Sequence, residues 1–119
     1  MRANNIDGHI VHINSIAGHK VPNFPGINVY PASKYAVTAL TETLRQELNQ
    51  LGSKIKISSV SPGAVATEIL DSSNIVSDPK MKEVLMKLPF LKAEDIADSI
   101  LYVLATPPHV QVCFTVREF

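Results

Sequence analysis

A tyrosine and a lysine stand four residues apart in the stretch NVYPASKYAVTAL, residues 28–40. On a helix, residues i and i+4 share a face, so the phenol of Tyr30 and the ammonium of Lys34 would be neighbours. An ammonium beside a phenol stabilises the phenolate, which suits a general acid or base. The spacing alone is weak evidence, because three tyrosines and eight lysines in 119 residues give about 0.2 such pairs by chance.

Ser15 is the second residue that could take part in such chemistry. It ends the apolar, β-branched run GHIVHINS, residues 8–15, which predicts a strand covered on both faces. A hydroxyl at the end of a strand can donate a hydrogen bond to a carbonyl oxygen while Tyr30 transfers the proton. The plainer interpretation is a turn or cap residue, which is the more common role of a serine at this place.

The third candidate is the loop SPGAVATE, residues 61–68. Pro62 and Gly63 would end a second strand, and the amides of Val65 and Ala66 with the Thr67 hydroxyl could contact the amide or phosphate of a cofactor. A proline-glycine turn that binds nothing is the alternative.

The order of the predicted elements indicates an α/β fold with a parallel sheet. Strands are predicted at 8–15, 54–61 and 110–117, and they alternate with helices at 30–51 and 93–106. Apolar residues recur every three or four positions in the first helix, at Ala36, Val37, Leu40, Leu44, Leu48 and Leu51. Ligands of such sheets bind beyond the carboxyl ends of the strands, where Ser15 and the 61–68 loop are expected. The segment 71–92 is predicted to be a mobile, partly helical insertion.

Composition argues against several other functions. Eleven basic and eleven acidic residues leave no net charge to attract nucleic acid, and no run of about 18 apolar residues predicts a membrane span. Cys113 is the only cysteine, so no internal disulfide or multi-thiolate metal site is expected, and the cytoplasm is the predicted location. The four histidines, His9, His12, His19 and His109, lack metal-site spacing and are interpreted as hydrogen-bonded structural groups.

Taken together, HIVHINSIAG, YPASK and SVSPGAVATE resemble the catalytic half of the short-chain dehydrogenase/reductases, over nearly the whole chain. NSIAGHKVP and SKYAVTALTETLRQEL are most similar to the branch that includes insect farnesol dehydrogenases and the vertebrate dehydrogenase/reductase family member eleven. The resemblance implies a Rossmann-type doubly wound sheet and a homo-oligomer for full-length members. It also implies oxidation or reduction of an apolar alcohol or ketone, such as the isoprenoid alcohol farnesol or a steroid, with NADP or alternatively NAD.

The resemblance also implies the role of each site residue. Ser15 would orient the substrate oxygen, and Tyr30 would be the proton donor or acceptor. Lys34 would tune Tyr30 and hold the nicotinamide ribose, while Pro62, Gly63, Val65, Ala66 and Thr67 would contact the nicotinamide end. Independently of the resemblance, the apolar residues of 71–92 would together form a lid over the substrate, whereas packing is the plainer interpretation of each one alone.

One part of the family pattern is missing from this sequence. The five glycines, Gly8, Gly18, Gly26, Gly52 and Gly63, form neither GxxxGxG nor GxGxxG, the turn that holds the cofactor pyrophosphate. The chain is therefore expected to be the C-terminal part of an enzyme that is inactive by itself. The alternative is a truncated, non-enzymatic isoform or incomplete gene product that acts at most as an interaction module.

Overall fold

The computed structural model of the chain describes residues 1–23, 26–68, 87 and 89–116, with 113–116 described by their backbone alone. Three parallel strands form one sheet in the order β1-β2-β3, and a helix follows each of the first two strands. The elements in chain order are β1 (His9–Ile13), α1 (Tyr30–Gln50), β2 (Lys56–Pro62), α2 (Ala93–Ala105) and β3 (Cys113–Val116). This is the strand-helix alternation that the sequence predicts.

The central strand β2 is the most buried element of the sheet. Ile57 and Val60 are fully buried, as expected for the apolar residues of a strand with neighbours on both edges. The β1–β2 register pairs His9 with Lys56 and Ile13 with Val60. Because both strands run in the same direction, their carboxyl ends meet at one edge of the sheet.

The two helices cover opposite faces of this sheet. Side chains alternate between the faces of a strand, so His12 and Asn14 of the β1 end lie on the face opposite that of Val60. His12 and Asn14 bond to side chains of α1, whereas Val60 packs in a cluster with residues of α2. The arrangement is that of a doubly wound, Rossmann-like sheet.

The start of α1 follows the sequence pattern, but its buried face differs from the predicted one. Pro31 lies in the first turn, where its missing N–H removes no helical hydrogen bond, and the helix ends at Gln50 before Gly52 with a φ of 60°. Leu40 belongs to the predicted apolar row, yet it is 57% exposed, and Thr41 is buried at 6% instead. The helix therefore presents hydroxyl groups as well as leucine to the sheet.

The start of α2 is capped by Asp95 in its first turn, as the acidic residues there suggest. Its carboxylate accepts a hydrogen bond of 2.7 Å from the Lys92 amide. The helix ends at Ala105 because Thr106 adopts an extended ψ of 144° immediately before Pro107. Four acceptors surround the three N–H donors of the Lys56 ammonium. They are the Thr106 hydroxyl at 2.9 Å and the carbonyl oxygens of Thr106, Pro107 and Val110 at 2.9, 3.2 and 3.2 Å.

Several predicted boundaries differ from the observed ones by one to three residues. The first strand ends at Ile13 rather than at Ser15, because Ser15 is extended but caps the 3₁₀ turn that follows, and its carbonyl accepts from the Gly18 amide. The second begins at Lys56 rather than at residue 54, since Ser53 and Ile55 form a local side-chain turn. The third begins at Cys113, because the Val110 amide donates to the Pro107 carbonyl in a turn instead of pairing with β2.

Most of the predicted lid, residues 71–92, lies outside the described residues, which include only residues 87 and 89–92 of that segment. Within the described ranges, neither helix combines the length and the apolar character that a bilayer crossing requires.

Candidate active site

Ser15 lies two residues beyond β1 and caps a 3₁₀ turn, Ile16–Gly18. Its Oγ accepts a hydrogen bond of 3.1 Å from the Ala17 amide, and the residue is 8% exposed. A hydroxyl that accepts from an amide keeps its own proton for donation. The cap interpretation and the catalytic interpretation of this serine are thus compatible, because the cap orients the hydroxyl that would donate.

Lys34 connects the helix to the end of the first strand. Its Nζ donates a 3.0 Å hydrogen bond to the carbonyl oxygen of Ile13, two residues before Ser15. The same Nζ lies 5.7 Å from the centroid of the Tyr30 ring, within the range of a cation–π contact. The i, i+4 pairing expected from the sequence is therefore present, and the ammonium is anchored at the carboxyl edge of the sheet.

Tyr30 is the first residue of α1 and is 38% exposed. Among the residues that the structure describes, its hydroxyl makes no hydrogen bond, either to Ser15 or to Lys34. Lys34 links the two other residues indirectly, through the Tyr30 ring on one side and the Ile13 carbonyl near Ser15 on the other. The Tyr30 hydroxyl is thus unpaired at a partly exposed position, where a ligand can reach it.

The loop after β2 reaches the same edge of the sheet. Pro62 is buried as the last residue of β2, Gly63 and Val65 are half-buried, and Thr67 is exposed. One expected donor differs: the Ala66 amide donates to the Leu91 carbonyl at 2.9 Å, because Val65 forms an isolated parallel bridge with Leu91. The Ala66 amide is therefore already bonded and is not a free donor for a ligand.

The remaining groups at this edge fit the nicotinamide end of a dinucleotide in chemical type. Lys34 supplies a positive charge and donors, Tyr30 an unpaired hydroxyl, and Thr67 an exposed hydroxyl. These are the donors and acceptors that ribose hydroxyls and a carboxamide require.

Two further contacts at this edge were not anticipated from the sequence. The Thr38 hydroxyl accepts from Asn14 Nδ2 at 2.8 Å and donates to the Gly18 carbonyl at 2.9 Å. His19 Nε2 and the buried Ser61 Oγ are hydrogen-bonded at 2.8 Å, which ties the Ser15 loop to the end of β2. These bonds join residues 24, 20 and 42 positions apart, so no local spacing could have indicated them.

Two of the other histidines, His9 and His12, have structural hydrogen-bond partners. His9 Nε2 is bonded to Ser58 Oγ and His12 Nδ1 to Thr41 Oγ1, each at 2.8 Å. Partial burial, together with the nearby Lys56 charge, lowers the pKa of His9 from its usual 6.5. Within the described ranges, no group of three His, Cys, Asp or Glu residues could hold a metal ion.

Residues 1–76 match the family model of the short chain dehydrogenases. The farnesol dehydrogenase of Aedes aegypti is 54% identical over 112 residues, which cover 94% of this chain and 42% of that protein. Dehydrogenase/reductase SDR family member 11 of Bos taurus is 46% identical over 106 residues, 89% of this chain and 42% of that protein. The chain thus spans less than half the length of both relatives.

A comparison of three-dimensional structures agrees with these sequence matches. The closed form of a serine dehydrogenase complexed with NADP+ superposes with a TM-score of 0.80 at 28% sequence identity. The match covers 96% of this chain and 45% of that structure. The resemblance in fold therefore extends through both helices and all three strands.

Proposed function

This chain belongs to the short chain dehydrogenase family of oxidoreductases, and on that premise we propose that its carboxyl-edge site serves an NADP-dependent alcohol dehydrogenase or carbonyl reductase. The substrate is an apolar alcohol or ketone. The observation that carries the proposal is the position of Lys34, whose ammonium contacts both the Tyr30 ring and the carbonyl of Ile13, beside Ser15.

Each of the three side chains has a distinct role in the proposed reaction. Ser15 donates its hydroxyl proton in a hydrogen bond to the substrate oxygen, since its Oγ already accepts from the Ala17 amide. Tyr30 transfers the proton to or from that oxygen, for which its hydroxyl is unpaired. Lys34 places its positive charge over the Tyr30 ring, where it favours the negative charge that develops on the phenol during proton transfer.

The nicotinamide end of the cofactor would be held by Lys34 and Tyr30 on one side and by Pro62, Gly63 and the Val65–Thr67 loop on the other. When bound, the cofactor supplies or accepts the hydride that this site's own residues cannot provide. The NADP+ in the similar serine dehydrogenase structure supports NADP, and NAD is the alternative.

The substrate proposal rests on the relatives rather than on a described pocket. The name of the Aedes aegypti relative supports an isoprenoid alcohol such as farnesol, and a steroid is the alternative within the same apolar class. A cytoplasmic location, supported by the single Cys113, and a homo-oligomeric state of the full-length enzyme both stay predictions.

A chimera tests this proposal. The 112 residues of Aedes aegypti farnesol dehydrogenase that align with this chain are replaced by the corresponding residues of the chain. We expect the chimera to oxidise farnesol with NADP+ as the cofactor. A folded chimera that binds NADPH but oxidises neither farnesol nor a steroid alcohol would overturn the proposed activity.

The 119-residue chain by itself provides the complementary test. We expect no measurable NADPH binding and no turnover, because its sequence contains no glycine-rich turn to hold the anionic pyrophosphate. A micromolar cofactor present at 100 times its dissociation constant would add about 2.7 kcal/mol of stability, so thermal shift would detect it. A clear shift would show that the nicotinamide contacts suffice.

A further inference from the structure

Thr38 contacts the two residues that bracket the Ser15 turn. Its hydroxyl accepts a 2.8 Å hydrogen bond from Asn14 Nδ2 and donates one of 2.9 Å to the carbonyl oxygen of Gly18. Asn14 precedes Ser15 and Gly18 ends the 3₁₀ turn, so a single side chain of α1 holds both ends of the segment.

The fit between this segment and the helix is close. A methyl group added to Gly18 would lie 2.6 Å from Asn14 Oδ1 and 2.7 Å from the Lys34 carbonyl oxygen. Asn14 is 3% exposed, and its Oδ1 has no hydrogen-bond partner within the described part of the chain. The bond to Thr38 is therefore what fixes the Asn14 side chain.

Thr38 also lies on the helix face that carries the proposed acid and its lysine. Tyr30, Lys34 and Thr38 follow one another at intervals of four, so they share one side of α1. A tether from Thr38 to the Ser15 segment consequently fixes the separation between Ser15 and the Tyr30–Lys34 face.

We propose that Thr38 is a positioning residue that preorganises Ser15 for its hydrogen bond to the substrate oxygen. Preorganised donors contribute to catalysis because they need no rearrangement when charge develops on the substrate. The use of this arrangement in catalysis rests on the proposed function. The tether itself is a property of the 119-residue chain and can be measured without turnover.

Amide hydrogen exchange followed by NMR on the 119-residue chain tests the tether. Three amides report on the turn: Ala17 donates to Ser15 Oγ, Gly18 to the Ser15 carbonyl and His19 to the Ile16 carbonyl. In Thr38→Val, which keeps the side-chain shape but removes the hydroxyl, we expect exchange of these amides to accelerate about tenfold. In Thr38→Ser, which restores a hydroxyl, protection should return.

Thr41→Val is the matched control. Thr41 lies on the same helix and is buried. Its hydroxyl is hydrogen-bonded to His12 of β1, whereas that of Thr38 is bonded to Asn14. The same chemical change there should leave the Ala17, Gly18 and His19 amides at wild-type rates. Unchanged exchange in Thr38→Val, or equal acceleration in Thr41→Val, would overturn the proposal.

A measurement on the unmodified chain covers the case in which Thr38→Val fails to fold. The Asn14 side-chain amide should exchange more slowly than that of the exposed Asn49, because it is buried and donates to Thr38. Equal rates would overturn the tether. An inactive farnesol dehydrogenase chimera, in contrast, would overturn the proposed function and leave both exchange results unaffected.

Discussion

Near the carboxyl edge, the two faces of the sheet are joined to their helices by different interactions. On the α2 face, Val60 packs in an apolar cluster with Ile96 and Val103. On the α1 face, near the carboxyl edge, the contacts are hydrogen bonds, from Asn14 to Thr38 and between His12 and Thr41, each at 2.8 Å.

The difference corresponds to what each helix carries. Apolar packing stabilises in proportion to buried area and imposes little direction, which suffices to hold α2 against the sheet. Hydrogen bonds require defined distances and angles, so they fix α1, which carries Tyr30 and Lys34, in one register against the Ser15 segment. The comparison indicates that, near the carboxyl edge, apolar packing holds the α2 side, whereas hydrogen bonds on the α1 side set the positions of the candidate site residues.

The largest expected effect comes from the apolar side. Val103 is fully buried, so Val103→Ala should lower the free energy of unfolding by about 2 to 3 kcal/mol through lost packing and a residual cavity. The neighbouring Leu104 is 47% exposed, and Leu104→Ala should cost less than about 0.5 kcal/mol. Urea unfolding of both variants measures the two losses in free energy of unfolding. Similar losses would show that α2 is not held by this cluster.

A somewhat smaller effect is expected at the closest approach on the polar side. Gly18→Ala should lower the free energy of unfolding by about 2 kcal/mol, because the new methyl group meets a backbone carbonyl that cannot move independently of α1. At Gly8, the corresponding methyl group meets only the flexible Met1 side chain, so Gly8→Ala should be nearly neutral. If urea unfolding gave both variants wild-type midpoints, the close packing of the Ser15 turn would be disproved.

The smallest effect is a pH dependence at His9, which lies at the amino end of β1. Its pKa is lowered in the folded chain, so between that value and the usual 6.5 the unfolded chain binds more protons. Stability should therefore be complete above about pH 6.5 and fall as the pH is lowered through this window. His9→Gln should flatten this part of a urea-midpoint profile, and an unchanged slope would exclude the contribution.

The sequence was sufficient to predict the strand-helix order, because that order depends on local patterns. Its three-part motif also indicated Ser15, Tyr30 and Lys34 as site residues, and their roles stay predictions. The sequence was not sufficient for Thr38 or for the His19–Ser61 bond. The apolar spacing of α1 predicted that Leu40 faces the sheet, but Leu40 is exposed and polar residues such as Thr41 face the sheet instead. Hydrogen bonds between residues 24 or 42 positions apart depend on how the connections between the parallel strands pack against the sheet, and local sequence does not determine that packing.

The loop after β2 shows the same limitation. The sequence indicated free amides at Val65 and Ala66 after the proline-glycine turn. Whether a backbone amide is free to bind a ligand depends on which segment packs beside it. Here the Leu91 carbonyl accepts a hydrogen bond from the Ala66 amide. Leu91 is separated from Ala66 by a long connection, so its return beside this loop could not be derived from local composition.

The most direct test of the central claim compares two tyrosines on the same helix. In the farnesol dehydrogenase chimera, Tyr30→Phe removes the proposed proton-transfer group, and Tyr35→Phe removes an equivalent hydroxyl from a tyrosine that is 42% exposed. We predict that Tyr30→Phe lowers farnesol turnover about 10²- to 10⁴-fold with NADPH binding retained, and that Tyr35→Phe stays near the wild-type rate. Turnover in Tyr30→Phe equal to that in Tyr35→Phe would contradict the assignment of Tyr30 as the catalytic acid and base.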